Sequence, residues 1–487
     1  VKGLLARWPR EVWWVLGAGL AYRLGLVAAG GQMFYPDEWR YYQSVELLHR
    51  LLHEQARGGV SAVLEQGAHV GYVLLGLLPA ALQGLPRLAL GWSPEQTWFI
   101  PAALGAVVSA SVPAWIYALA RRMGAASREA MLALLLCALS VTLARYCRHL
   151  LPYDLALTLA LAATWVGLAP ETSPIRSAGA GGLAAVAFLT YNGYWPMAGL
   201  ALVLHVLAVL PRGREALRRA LWALVGLLTP VVLLTLAGRA VGADFLFALL
   251  VHSGSLIGGH LGEAWTIPGR YLWASEPALL AVWGIGLALA ARAALDPTRR
   301  RRGLLWGGAL LFLYGQMVLG AHLLGQWPVF GRLARMLVPF LCLAAALGWA
   351  HVGPAKPALR RLAGLAFALA VLPSLANPWR ETFPSDWLPR FKRAYPGELR
   401  VMNTNLGPME EHIEPELLHP HARYVFVNYR ILKPIEGRRP RPAGRVLWQR
   451  PHPAQFSYNH YNGYWPHERV WLRREDFSMA LIDTRPP

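Results

Sequence analysis

Two adjacent carboxylates, Asp37 and Glu38, follow Phe34-Tyr35-Pro36 just after the first long apolar stretch of the chain. Neighbouring acids at a low-dielectric boundary shift each other's proton affinity. A carboxylate tuned in this way can take the proton of an attacking hydroxyl. The same pair can instead cap a helix at its positive end, and the residues leave both readings open. Pro36 fixes the local backbone and ends the preceding helix, so the acids fall at the membrane–water boundary. A helix is predicted from about Asp37. Glu38, Tyr42, Glu46, His49 and His53 recur at helical spacing as one polar stripe. Val45, Leu47, Leu48, Leu51 and Leu52 supply an apolar side, and such a helix lies along the interface.

Other residues have types suited to chemistry. Asp154 follows Arg145-Tyr146-Cys147-Arg148 and Pro152-Tyr153. It can orient an acceptor, hold a cation, or simply open a helix. Arg148, Arg270, Arg332 and Arg335 can each meet a phosphate bidentately or anchor the chain at the interface. His252, His260 and Glu263 have ligand-like chemistry, but their spacing matches no metal motif. No metal or other cofactor is therefore expected. Tyr-Asn-Gly-Tyr-Trp-Pro occurs at 191–196 and again at 461–466. Asn-Gly supplies a bend, and the aromatics suit either an interfacial belt or a surface on which sugars stack.

The elements that must position these residues are membrane helices. Of the 487 residues, 55% are hydrophobic and 15% charged, against about 25% charged in soluble domains. Spans of roughly 20 apolar residues are predicted near 12–31, 97–119, 129–147, 153–169, 178–191, 195–211, 221–241, 272–294, 303–324, 336–352 and 361–376. The formal net charge is +20, and only Lys2, Lys356, Lys392 and Lys433 are lysines. The arginines fall in short clusters between apolar stretches. That is the positive-inside pattern, not the single basic face of a nucleic-acid binder. With eleven spans the N-terminus and every basic cluster face the cytoplasm. Burying Arg299 to Arg302 would cost on the order of 10 kcal/mol. His69 to Leu90 is apolar enough to cross, yet a crossing there would reverse every later cluster. The charge rule alone places it in the first external loop. No cleavable signal peptide is evident, and Cys137, Cys147 and Cys342 form no disulfide framework.

The expected architecture is thus an all-α polytopic membrane protein of the cell membrane with a membrane domain at 1–376. A small external mixed α/β domain follows at 377–487. In it Ser385 to Tyr395 reads as an amphipathic helix. Arg423 to Leu432 and Arg445 to Arg450 read as strands.

Tyr35-Pro36-Asp37-Glu38 with Gln43-Ser44-Val45-Glu46-Leu47-Leu48-His49-Arg50 resembles the first external loop of GPI-type mannosyltransferases. Those enzymes carry His-Pro-Asp-Glu and then Gln-x-x-Glu-x-x-His-Arg. Here Tyr35 replaces the histidine, and about two extra residues separate the halves. The layout also resembles protein O-mannosyltransferases and aminoarabinose transferases. Arg145 to Asp154 is similar to the second external loop of this GT-C superfamily. Gly331 to Phe340 is similar to its Arg-Tyr-x-x-Pro stretch, with Met336 replacing the aromatic. By motif the likeness covers about thirty residues. It implies a GT-C fold and transfer of a sugar, possibly a hexose such as mannose or a pentose, from a polyprenyl-phosphate carrier. The acceptor would be a hydroxyl or amine on a protein, glycolipid or lipid at the external face. By analogy Asp37 or Glu38 is the base, and Arg335, Arg332, Arg148 and Arg270 serve the phosphate. Asp154, Glu46 and His49 contribute to substrate binding. Mannosyltransferase-like branches generally work without a metal.

Two other classes remain. A transporter or lipid flippase would share the many spans, but it places ionisable residues near the midplane, where this chain has almost no Asp or Glu. A scaffold subunit with a degenerate acidic motif is compatible with Tyr35.

Overall fold

A computed structural model describes residues 8–32, 38–53, 55–92, 94–169, 173–209, 212–255, 266–319, 331–352, 357–381, 384–403, 422–428, 443–451 and 478–485. It is mostly helical, with one small sheet. A helix occupies each of the eleven predicted spans. Not all are long. Among the described residues Val70–Leu90, Phe99–Arg122 and Gly213–Val241 are long and apolar enough to cross a membrane. Ser127–Ala138 and Val141–Arg148 form a fourth crossing only as a pair bent by 58°. Tyr153–Gly167, Pro277–Ala293 and Val338–His351 are shorter apolar helices. The expected count of eleven full-length spans is therefore not reached on length and composition.

Side-chain contacts sort the helix ends into two groups. At one end Arg302 donates to Gly124 O at 2.6 Å and pairs with Glu129 at 3.2 Å. Arg301 reaches Ala208 O at 3.0 Å, and Arg299 meets His351 Nδ1 at 2.6 Å. Trp8 packs on Tyr117 at 5.2 Å. Arg301 and Arg302 thus supply donors to carbonyls just beyond helix C-termini. At the other end Arg148 donates to Gly30 O at 2.6 Å, and Asn192 Oδ1 accepts from His69 N at 3.1 Å.

Val70–Leu90 is tied to its neighbours at its start and midway along its second half. His69 holds Thr190 and Asn192. Gln83 donates to Thr97 Oγ1 at 3.1 Å and accepts from Tyr41 Oη at 2.8 Å. It is broken at Gly76 into Val70–Leu75 and Leu77–Leu90.

Close helix contacts rest on small residues, as apolar surroundings favour. Pro174–Thr190 and Gly213–Val241 meet at Gly181 and Gly226. A Cβ on Gly181 would collide with the carbonyl of Ala223, and one on Gly226 with that of Ala178.

The sheet is C-terminal. Its strands are β1 (Leu399–Asn403), β2 (Tyr424–Asn428), β3 (Arg445–Pro451) and β4 (Ser478–Asp483), in the order β1-β2-β4-β3. β1 and β2 are parallel, and β4 is antiparallel to both β2 and β3. Leu399, Phe426, Met479 and Leu481 on one face pack with Trp387 and Phe391 of the Pro384–Ala394 helix. That amphipathic helix and both anticipated strands are present, with two further strands beside them. The helix Pro357–Arg380 runs past position 376.

Candidate functional site

The segment 145–154 joins the bent pair to the Tyr153–Gly167 helix and carries most of the candidate groups. Its geometry starts from a break. Ser140 caps the one-turn helix Val141–Ala144 through Leu143 N, at 3.4 Å. The carboxylate of Glu276 then accepts from Ser140 Oγ at 3.0 Å, Val141 N at 2.7 Å and Thr142 N at 3.3 Å. Such an acid satisfies the orphan donors of a helix start. Glu276 falls inside the anticipated 272–294 span, but it sits between Ile267–Ser275 and Pro277–Ala293. The dipeptide Glu276-Pro277 was the available signal, since proline favours the first helical position.

Glu38 is fully buried. It does not cap the Trp39–Leu52 helix with its side chain. One carboxylate oxygen instead accepts from Leu150 N at 2.7 Å, and the other lies 3.7 Å from His149 Nδ1. Glu38 thus clamps the 145–154 segment to the first loop across 112 residues of sequence. Asp37 lies outside the described residues.

The polar stripe inferred for the following helix is corrected accordingly. Tyr41, Ser44 and Leu47 face inward, while Leu52 and Tyr42 are exposed. Glu46 pairs with Arg50 at 2.5 Å, and His49 stacks on His53 at 4.1 Å. Both belong to the outer face, and the structure does not bring them to Glu38. Packing against the helices around Tyr72 and Ala102 buried Tyr41, Ser44 and Leu47 and left the polar stripe outside, apart from Glu38.

Asp154, in the first turn of Tyr153–Gly167, forms a buried ion pair with Arg335. Arg335 also lies over the Tyr146 ring at 4.9 Å, and Arg332 lies over Tyr153 at 5.4 Å. Arg148 donates to Gly30 O and, at 2.8 Å, to Pro378 O. Arg145 pairs with Glu381. Burial pushes the Glu381 carboxyl up, against the pull of that guanidinium. Arg148, Asp154, Arg332 and Arg335 are thus gathered near Glu38. Arg270, on Ile267–Ser275, is exposed. Of the loop groups considered for metal, His252 stands 6.1 Å from His69 in an edge-on contact, and His260 and Glu263 lie outside the described residues. Among the described residues no group of three ligand-type side chains converges.

Residues that sequence reasoning passed over are His149, Glu276, Glu381 and His69. His69 adopts a left-handed backbone (φ 55°), a strained conformation for a non-glycine residue. The first Tyr-Asn-Gly-Tyr-Trp-Pro copy holds it there. Asn192 takes its N–H, and Tyr191 stacks on its ring at 5.2 Å. The second copy lies outside the described residues.

Burial pushes the His149 imidazole below its ordinary range, with the neighbouring Glu38 opposing the shift and Arg148 reinforcing it. A group whose folded pKa is depressed contributes stability above its unfolded value, and that stability is lost as pH falls through the folded one. Thermal stability in detergent should therefore decline as pH drops below about 6.5, and His149→Gln should flatten that decline. An unchanged pH slope in the variant would show that His149 is not the group responsible.

Beside these groups lies a partly open cleft of about 570 Å³, its open mouth included, between the Val70–Leu90 segment and the Phe99–Arg122 helix. His149 and Asp154 line it together with apolar side chains.

No protein-family model matches the chain. No curated protein matches it either. Among solved structures it is similar to the oligosaccharyltransferase of Archaeoglobus fulgidus in its apo form, with a TM-score of 0.47 and 13% identity. That match covers 83% of this chain and 63% of the other, so the chain spans less than two thirds of that protein's length. A second similar structure is the oligosaccharyltransferase AglB of the same archaeon, in complex with an inhibitory peptide and a dolichol-phosphate. Its TM-score is 0.44 at 11% identity, over 86% of this chain and 69% of that one.

Proposed function

We propose that this chain is a membrane glycosyltransferase of the GT-C type, moving a sugar from a polyprenyl-phosphate carrier to an acceptor at the external face. The observation that carries the reading is the convergence of Glu38, His149, Asp154 and Arg335 at one end of the helical bundle, beside a cleft with apolar walls. A polyprenyl donor must keep its tail in lipid while its phosphate meets polar groups, and this placement offers both.

In the reaction, the acceptor oxygen or nitrogen forms a bond to the anomeric carbon. The bond from that carbon to the phosphate oxygen breaks, and its electron pair leaves on the carrier phosphate. The acceptor proton passes to a carboxylate. Glu38 has one oxygen committed to Leu150 N and the other facing His149, so it serves as the clamp that positions the 145–154 segment. The base is then Asp37, the other half of the pair. Arg332 and Arg335 are held over tyrosine rings. A guanidinium so fixed stabilises the charge on the leaving phosphate without reorganising. The distribution of the arginine clusters supports a cytoplasmic N-terminus, with domain 377–487 on the acceptor side.

The test is purified full-length protein with a panel of polyprenyl-phosphate sugars, scored by release of the carrier phosphate. Turnover with one donor and not with the others supports the reading. No release and no thermal stabilisation with any donor would end it.

A further inference from the structure

The cleft differs from a phosphate site in its charge. Its walls are apolar, with Leu75 and Pro79 on one side and Leu104 and Val108 on the other. Its polar end is His149 and Asp154, and among the described residues no lysine or arginine lines it. Arg335, which pairs with the Asp154 carboxylate, and Arg148, which donates to two backbone carbonyls, are not among the lining residues. The Tyr41 hydroxyl is spent on Gln83. A phosphate entering here would meet the Asp154 carboxylate, whose counter-ion Arg335 is not part of the lining. A neutral hydroxyl suits that end, because carboxylate oxygens accept from it and a neutral imidazole can accept or donate. Burial disfavours protonation of His149.

We propose that this cleft binds the acceptor, and that the acceptor is a lipid-borne alcohol: an apolar chain between Leu75, Pro79, Leu104 and Val108, with its hydroxyl at His149 and Asp154. Calling the ligand an acceptor rests on the transferase reading; binding of the alcohol does not. The donor, which carries the phosphate, then approaches from the side of Arg332 and Arg335, and the two lipids are sorted by charge. This narrows the acceptor from protein, glycolipid or lipid to a molecule with a lipid tail.

Gly105 gives a way to fill the cleft without moving backbone. A Cβ added there meets nothing nearer than Cys147 O, at 3.7 Å, and Gly105 is itself part of the lining. The experiment photolabels the purified full-length protein with a diazirine-bearing isoprenoid alcohol of farnesol length, and in parallel with the same chain ending in phosphate. Labelled peptides are mapped by mass spectrometry. The alcohol is expected to label the Phe99–Arg122 helix around Leu104 and Val108, with competition by unlabelled alcohol. The phosphate is expected to label these positions weakly. Gly105→Leu should reduce the alcohol's labelling about 10-fold, the scale on which an apolar pocket responds to added or lost volume. The wild-type comparison stands on its own should the variant not fold. Equal labelling by the phosphate, or alcohol labelling confined to sites away from the cleft, would overturn the proposal. Labelling as expected with no turnover from any donor would sink the transferase reading alone. Turnover onto a peptide or soluble sugar, without alcohol labelling, would sink the lipid acceptor alone.

Discussion

Asp37→Asn should lower turnover by about 10²–10⁴-fold, the usual contribution of a general base, while the melting temperature stays where it is. The neighbouring change should behave in the opposite way. Glu38→Ala strips the acceptor from Leu150 N inside the protein and should cost about 1–3 kcal/mol, the scale of a buried donor left unsatisfied. Glu38→Gln keeps an oxygen for that N–H and should retain most of the stability. Sugar transfer and thermal unfolding, measured on the same preparations, separate the two roles. If Glu38→Gln abolished transfer and Asp37→Asn did not, the assignment of base and clamp would have to be exchanged. Glu38 is enclosed and tied to the backbone of the 145–154 segment, and a proton acceptor must reach the nucleophile.

The second large effect concerns Arg335 and Asp154. Both are buried and joined as an ion pair. Removing one partner strands the other charge, so Arg335→Met should destabilise the protein by about 3–5 kcal/mol. Replacing both, as Arg335→Met with Asp154→Leu, removes the stranded charge and should return most of that loss. Transfer activity should not return with it, because the guanidinium that answers the leaving phosphate is gone. Thermal unfolding of the single and double variants in detergent measures the coupling. A single variant as stable as the wild type would show that the pair is not formed in solution. A double variant that regained full activity would remove Arg335 from the mechanism.

Much of the scaffold was legible in the residues. Helices occur at each anticipated apolar segment because a span is specified locally, by about 20 consecutive side chains. The basic clusters were equally readable. Arg299, Arg301 and Arg302 meet the ends of other helices at one end of the bundle, as one-sided charge requires. Where the pattern misled, a neighbour decided. Glu46 and His49 share a helical stripe with Glu38 on paper, yet packing turned Tyr41, Ser44 and Leu47 inward and left the stripe outside. Arg270 had the right residue type but lies on an exposed face.

The sequence by itself determined the apolar helical segments, two of the four strands of the C-terminal sheet and the acidic pair after the first of those segments, because each is written in contiguous residues. Only the tertiary structure decided what those residues touch: Leu150 for Glu38, the Val141 turn for Glu276, and Arg335 for Asp154 across 181 positions. A local pattern carries no record of which distant donor will arrive, whereas a buried carboxylate must find one. Folding settles that choice by the cost of leaving it unmet.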